Sequence, residues 1–201
     1  MSGQSVLIQP ASYVEPLRLE ELWPQDAQAA RAPIEGELGT GDGSFLVAWA
    51  ATHPLHNFLG IERLLGRVRK VERKIRRAGL TNARLLRIEA RYFLEYLLPP
   101  SSLIALHIYF PDPWPKRKHW RHRLINDEFA TAAAKVLQPR GTVYLRTDDA
   151  NYFAQMSDVF GRNASFEPTE TPAELQSVLT DFESEFQARG VGALRAAYRR
   201  R

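Results

Sequence analysis

The chain has 201 residues, 44% apolar and 25% charged, which is enough for one sizeable core and ordinary for a folded domain that faces water. It has no cysteine, which excludes a disulfide framework and a thiolate zinc site; no window approaches the roughly 18 apolar residues of a membrane span, and MSGQSVLIQP lacks a signal peptide's basic start and apolar run. Cytoplasmic residence, with no membrane partner, is the expectation. The net charge of +4 is modest but unevenly spread: residues 63 to 123 hold sixteen bases, mostly arginine, against four acids, while residues 33 to 62 hold four acids and no base. Arginine is the residue favoured for phosphate forks and base stacking, so the middle third points to a polyanionic partner more than to a solvated lysine-rich face.

In chain order, residues 1 to 32 show little periodicity beyond a short helical pattern in LRLEELW and are expected to be an N-terminal arm, leaving 33 to 201 as one domain. IEGEL at 34 to 38 reads as a strand, GSFLVAWAA as a helix, NFLGIE at 57 to 62 as a strand and 63 to 78 as a helix. ARLLRIE at 83 to 89 is a third strand, ARYFLEYL a short helix, LIALHIYF at 103 to 110 a buried strand, 124 to 137 a helix and GTVYLRT at 141 to 147 a strand. Strands alternating with helices over short connections predict an α/β domain of Rossmann-like architecture, a mostly parallel sheet with helices on both faces.

Within 63 to 78, Leu64, Val68, Val71 and Ile75 recur at spacings of four, three and four and make one apolar stripe. Arg63, Arg67, Lys70, Lys74 and Arg77 repeat on a neighbouring face, so the helix can dock through one face and present a basic ridge on the other.

ELGTGDGSF at 37 to 45 follows the first strand and opens a helix. Gly39, Gly41 and Gly43 allow a tight turn and close approach of a ligand to the backbone. The spacing is GxGxG and not the dinucleotide GxGxxG, which disfavours nicotinamide binding. Glu37 stands just before the loop, where a negative charge repels a pyrophosphate and suits an ammonium or sulfonium. Glu62 ends the next strand about 20 residues on, where a carboxylate can accept from both ribose hydroxyls. Glu89 ends the third strand, within reach of an adenine amino group. Any one of these acids alone is as well explained as a solvated strand end. Together they suggest a cationic nucleoside, S-adenosylmethionine.

YFPDPWPKRKHWRHR at 109 to 123 closes the fourth strand. Ligands of open α/β sheets bind outside the carboxyl ends of strands near the switch in strand order, which brings Asp112 beside the donor, held between Pro111 and Pro113. The block Lys116, Arg117, Lys118, His119, Arg121, His122 and Arg123 suits phosphate positioning. RTDDANY places Thr147, Asp148 and Tyr152 along the same edge, and Trp114 or Tyr152 is a candidate to stack on a base. In LTDFESEF, Thr180 and Glu183 share one face of a helical turn. A carboxylate there can accept the two donors of a guanine Watson-Crick edge, but a capped, solvated helix explains the same spacing.

ELGTGDG, FLGIE, IEA at 88 to 90, FPDPWPK, RTDDANY and TDFE, in this order, resemble the bacterial tRNA (guanine-N7)-methyltransferases from about residue 36 to 200. The resemblance implies a class I methyltransferase fold, a mostly parallel seven-stranded sheet whose last strand is antiparallel, and methylation of N7 of a guanine in the tRNA variable loop with S-adenosylmethionine and no metal. By position, Glu37, Glu62 and Glu89 match the donor-contacting acids, joined by Gly39, Gly41, Gly43 and Ala90. Asp112 matches the acid assigned to catalysis, Lys116 and Asp148 match substrate contacts, and Thr180, Asp181, Phe182 and Glu183 match the guanine-recognition segment. Glu89 stands where the family usually has Asp. Either a monomer or a homodimer fits.

Three other readings remain at this point. A methyltransferase for another RNA, a protein or a small molecule leaves the basic middle third unexplained. An RNA-binding module with a decayed donor site sits poorly with the intact glycines and acids. A nicotinamide dehydrogenase is disfavoured by both.

Overall fold

The computed structural model describes residues 5–24, 28–187, 190 and 192–201; residues 1–4 and 25–27 of the expected arm lie outside the described residues. In chain order the elements are β1 (Leu7–Ile8), β2 (Ile34–Leu38), α1 (Ser44–Thr52), β3 (Asn57–Glu62), α2 (Leu65–Arg77), β4 (Ala83–Arg87), α3 (Ala90–Tyr92), β5 (Leu103–Tyr109), α4 (Asp127–Val136), β6 (Leu137–Thr147), α5 (Ala150–Arg162), β7 (Phe166–Thr169), α6 (Ala173–Ser177), α7 (Asp181–Gln187) and β8 (Leu194–Arg200). Among the described residues no helix is long and apolar enough to cross a membrane.

The strands form one sheet in the order β1-β4-β3-β2-β5-β6-β8-β7. β1 to β6 pair in parallel, and β8 inserts antiparallel between β6 and β7. The sheet has one strand more than the expected seven. The extra strand comes from the arm: Leu7 and Ile8 pair with Leu85 and Leu86 of β4. The arm's apolar side chains explain its docking, since Val6, Leu17, Leu19, Leu22 and Trp23 are all buried. Arg84 fastens it further by donating through Nε to the Leu22 carbonyl at 2.9 Å.

Side chains of a strand alternate between faces, and the core divides accordingly. Leu59 and Ile61 of β3, Leu106 and Ile108 of β5 and Val143 and Leu145 of β6 pack with Phe129 and Ala133 of α4 and Met156 and Phe160 of α5. On the opposite face Phe58, Ala83 and Leu85 pack with Phe45, Leu46 and Trp49 of α1 and Val71 and Ile75 of α2. Helices therefore cover both faces. The fully buried Val68, Val71 and Ile75 of α2 contribute on the order of 1.5–3 kcal/mol each. Leu64 is not part of that stripe. The helix begins at Leu65, Leu64 precedes it in extended conformation, and its side chain is 44% exposed.

β2 and β5 are neighbours although two other strands lie between them in sequence, so the chain reverses its lateral progress between β2 and β5. That reversal opens a crevice above their carboxyl ends.

Candidate active site

The crevice holds about 710 Å³, and residues from six segments, each at the carboxyl end of a strand or the start of a helix, make up most of its lining. From β2 and the following loop come Glu37, Gly39, Gly41 and Gly43; from β3, Glu62; from the start of α3, Glu89 and Ala90; from the β5 loop, Asp112 and Trp114; from β6, Asp148; and from the start of α7, Thr180, Asp181 and Phe182. Of the residues expected at the site, Lys116 and Glu183 do not line it.

The glycine loop follows from local sterics. Gly43 has φ +78°, and a Cβ there would lie 2.6 Å from Val71 Cγ1, so only glycine lets α1 start this close to α2. Gly39 has φ +79° with nothing within 4 Å of an added Cβ, leaving bare backbone toward the open crevice.

The three acids differ in how fully they are engaged. Glu37 is 4% exposed, and its Oε2 is buried with no hydrogen-bond partner. Burial pushes its carboxyl up to about 8; Arg146 acts against that shift and Glu62 adds to it. A buried carboxylate this costly to ionise is what a cationic ligand would stabilise. Glu62 accepts from the Gly41 N–H through Oε2 at 3.2 Å and from the Leu64 N–H through Oε1 at 2.9 Å, and each oxygen keeps a second lone pair. Glu89 is exposed and caps α3, accepting from the Tyr92 N–H at 2.8 Å, so one oxygen is committed to the helix.

Opposite them stands the Pro-Asp-Pro-Trp loop. Phe110 and Trp114 have φ of +50° and +45°, a left-handed conformation that costs non-glycine residues on the order of 1–3 kcal/mol. Asp112 between them is exposed and accepts from the Trp114 N–H through Oδ1 at 3.3 Å, an Asx turn that aims the carboxylate. Arg123 offsets the strain. It donates to the Pro113 carbonyl, to Gln155 Oε1 and to Asn151 Oδ1 at 2.8–2.9 Å, and it lies against the rings of Trp120 and Tyr152. At 3% exposure Arg123 is an internal brace and not a phosphate contact, unlike the exposed Lys116, Arg117, Lys118 and Arg121 around it.

Tyr152 is likewise internal: it is fully buried and its hydroxyl accepts from the Ile125 N–H, so it cannot stack on a base. Trp114, half-buried on the crevice and edge-on to His119, can. Thr147 is buried, and Asp148 alone of that edge is exposed to the crevice.

Thr180 and Glu183 form a capping box: Thr180 Oγ1 accepts from the Glu183 N–H and Glu183 Oε2 from the Thr180 N–H, both at 3.0 Å. The cap is not solvated. Glu183 is 1% exposed, its Oε2 paired with Arg146 and its Oε1 with Arg195, each at 2.7 Å. Its carboxylate is thus taken up inside the protein and presents no oxygen to the crevice. The wall facing the crevice is Thr180, Asp181 and the 43% exposed Phe182.

The basic face of α2 meets the crevice rim. Lys70 pairs with Asp42 of the glycine loop at 2.5 Å, Lys74 with Asp181 at 3.6 Å, and Arg67 with Glu62 at 3.9 Å. Under the crevice lies a feature the sequence reading missed. Glu35, Glu37, His107, Tyr109, Tyr144 and Arg146 fall at alternate positions of β2, β5 and β6 and share the α1 face. Burial raises the Glu35 carboxyl, but hydrogen bonds from His107, His56 and Trp49 outweigh it and hold the group well below the usual carboxylate range.

A family model described as "Putative methyltransferase" matches residues 31–196. Among curated proteins, the tRNA (guanine-N(7)-)-methyltransferase of Chromohalobacter salexigens is 35% identical over 202 residues, 90% of this chain and 82% of that relative. The protein of the same name from Nocardioides sp. is 38% identical over 170 residues, 85% and 68% of the two chains; that of Syntrophotalea carbinolica is 40% identical over 122 residues, 61% and 53%. Among solved structures, the 16S rRNA methyltransferase KamB superposes with a TM-score of 0.64 at 17% identity, covering 90% of this chain and 91% of that one, a likeness of fold.

Proposed function

From a chain that belongs to the tRNA (guanine-N(7)-)-methyltransferase family, we propose methyl transfer from S-adenosylmethionine to N7 of a guanine in the variable loop of tRNA, carried out in the cytoplasm. The observation that carries the assignment is Glu37: a buried carboxylate with one oxygen, Oε2, lacking a hydrogen-bond partner, beside a bare glycine backbone and lining the crevice that also holds Asp112. That donor set fits a ligand bearing both a positive charge and a ribose. Glu37 faces the charged end, Glu62 offers its remaining lone pairs to the ribose hydroxyls, and Glu89 and Ala90 border the adenine.

When bound, S-adenosylmethionine supplies an electrophilic methyl carbon on a sulfonium, which guanine N7 accepts through its in-plane lone pair with no proton to remove. A general base, typically worth ~10²–10⁴-fold, therefore has no task here. The chain's contribution is alignment, for which ~7–11 kcal/mol is available, and electrostatics. Asp112 holds the purine and favours the cationic 7-methylguanine, in the manner of a preorganised charge. Trp114 and Phe182 offer stacking faces to the extruded base, ~1–3 kcal/mol each, against an unstacking cost of a few kcal/mol. Lys116, Arg117, Lys118 and Arg121 grip phosphates, and Asp148 borders the purine.

A methyl-transfer assay with labelled donor, comparing unmodified tRNA with ribosomal RNA and small purine acceptors, tests the assignment. Incorporation into tRNA alone supports it, and preference for another acceptor contradicts it.

A further inference from the structure

Arg146 belongs to the buried polar row and does not itself line the crevice, although it packs on Tyr109, which does. We propose that Arg146 is a positioning residue that clamps the segment from Leu175 to Glu183 onto the sheet and so sets where the acceptor wall stands relative to the donor. The inference rests on the methyl-transfer reading above.

Below Arg146 the structure is fixed. Arg146 is the β6 neighbour of Tyr109 on β5, and its guanidinium lies 4.1 Å from the centre of the Tyr109 ring. Tyr109 is held in turn: its hydroxyl lies 2.8 Å from His107 Nδ1, and His107 Nε2 lies 2.7 Å from Glu35 Oε2. Glu35 also accepts from Trp49 of α1 at 2.9 Å. A relay of buried hydrogen bonds thus ties the ring under Arg146 to β2 and α1.

Above Arg146 the segment depends on it. Nη1 donates to the Val178 carbonyl and to Glu183 Oε2, both at 2.7 Å, and Nη2 donates to the Leu175 carbonyl at 2.5 Å. Among the described residues between Thr169 and Leu194 none belongs to a strand, and residues 175 to 183 have no ladder hydrogen bonds to the sheet. Glu183 passes the constraint on through its capping box with Thr180, which orients Thr180, Asp181 and Phe182 into the crevice. Phe182 then reaches the donor loop, its Cε2 lying 4.0 Å from where a Cβ on Gly41 would be. Only a planar fork with several fixed donors can serve two carbonyls and a carboxylate while stacking on a ring; a lysine in its place keeps the charge and loses the geometry.

Two variants test the proposal, Arg146→Lys and Glu183→Gln, each read by methyl transfer, by calorimetry with the donor, and by hydrogen exchange of the backbone amides from 178 to 184. Because phosphate contacts dominate tRNA affinity and a misplacement of about 1 Å can cost ~10²-fold in rate, kcat is expected to fall by ~10–10²-fold in both variants. The Kd values for tRNA and donor should stay within about twofold and the donor stoichiometry at one per chain, while amides 178–184 exchange faster and those of β6 do not. A fall in kcat matched by a fall in donor stoichiometry would mean general misfolding and would overturn the proposal, as would native kcat and native protection in both variants. If Arg146→Lys does not fold, Glu183→Gln carries the same expectations. A native protein that leaves tRNA unmethylated overturns the proposed function instead, and the exchange measurement then decides the clamp alone, faster exchange at 178–184 supporting it and unchanged exchange refuting it.

Discussion

The Gly41 N–H donates to Glu62 Oε2 across 3.2 Å, so the acid that ends β3 holds the loop that ends β2. One carboxylate thereby shapes the glycine cradle and faces the ribose site. Glu62→Gln turns an accepting oxygen into an N–H group opposite a backbone N–H. Donor affinity should fall at least ~10-fold, and the Gly41 amide should exchange faster. Calorimetry with S-adenosylhomocysteine and hydrogen exchange measure the two effects; unchanged affinity would remove Glu62 from the donor site.

Glu37 predicts a pH dependence with a definite sign. Its folded-state value, about 8, lies above the ordinary value of 4.5, so between those limits the folded chain holds a proton that the unfolded chain has released. Glu37 therefore favours the folded state at acid pH, and that advantage declines as pH rises toward 8, by up to ~1.4 kcal/mol per pH unit. Glu37→Gln should abolish this component and raise Tm at pH 8 while greatly weakening donor binding. In the native protein donor affinity should rise as pH rises toward 8, because the cation requires the ionised form. Thermal melts and calorimetry from pH 5.5 to 8.5, native against variant, check both; a donor affinity independent of pH would place the cation elsewhere.

The basic block separates into two kinds of arginine. Arg121→Gln together with Lys116→Gln and Lys118→Gln should weaken tRNA binding and flatten its salt dependence by ~0.7–0.9 of slope per lost phosphate contact, with Tm unchanged. Arg123→Gln should do the reverse. It loses three buried charge-assisted hydrogen bonds and frees a loop with two left-handed residues, so Tm should fall by several degrees while the salt slope per bound tRNA persists. Salt titrations of tRNA binding alongside thermal melts distinguish them.

Much of the fold was legible because its elements carry regular periods. The strands at 34–38, 57–62 and 103–110 and the helix at 63–78 all appear within two residues of their observed limits, and glycines and prolines mark the turns between them. The eighth strand was not legible. Leu7 and Ile8 are too short a run to show alternation, and their pairing depends on an edge of β4 that local sequence does not reveal. At the site, the glycine loop and Asp112 line the crevice as the sequence suggested, whereas Lys116, on the same loop as Asp112, does not. Residues whose partners are distant were not legible: Glu183 and Arg123 look like surface charges until Arg146, 37 residues away from Glu183, and Gln155, 32 residues from Arg123, close around them. The buried row did leave a trace. Glu35 and Glu37, His107 and Tyr109, and Tyr144 and Arg146 are each two apart, polar on one face of strands whose other face is Leu, Ile and Val except at Gly36.

Asp112 is exposed and held by a turn through one oxygen, so Asp112→Asn preserves the loop and changes the charge. Methyl transfer should fall by ~10²-fold with tRNA and donor Kd values near native, as for loss of one preorganised electrostatic contact. Single-turnover assays beside filter binding measure it. Native turnover would deny Asp112 its role, and lost tRNA binding would make it a grip instead.

The claim on which the account rests is that the crevice brings guanine N7, and no other RNA atom, to the donor methyl. Incubation of the protein with unmodified tRNA and labelled S-adenosylmethionine, followed by borohydride reduction and aniline cleavage, tests it directly, because only 7-methylguanosine yields a break under those conditions. A single cleavage at a variable-loop guanine, in proportion to label incorporated, is the predicted result. Label in tRNA without cleavage, or cleavage at guanines throughout the molecule, would contradict it.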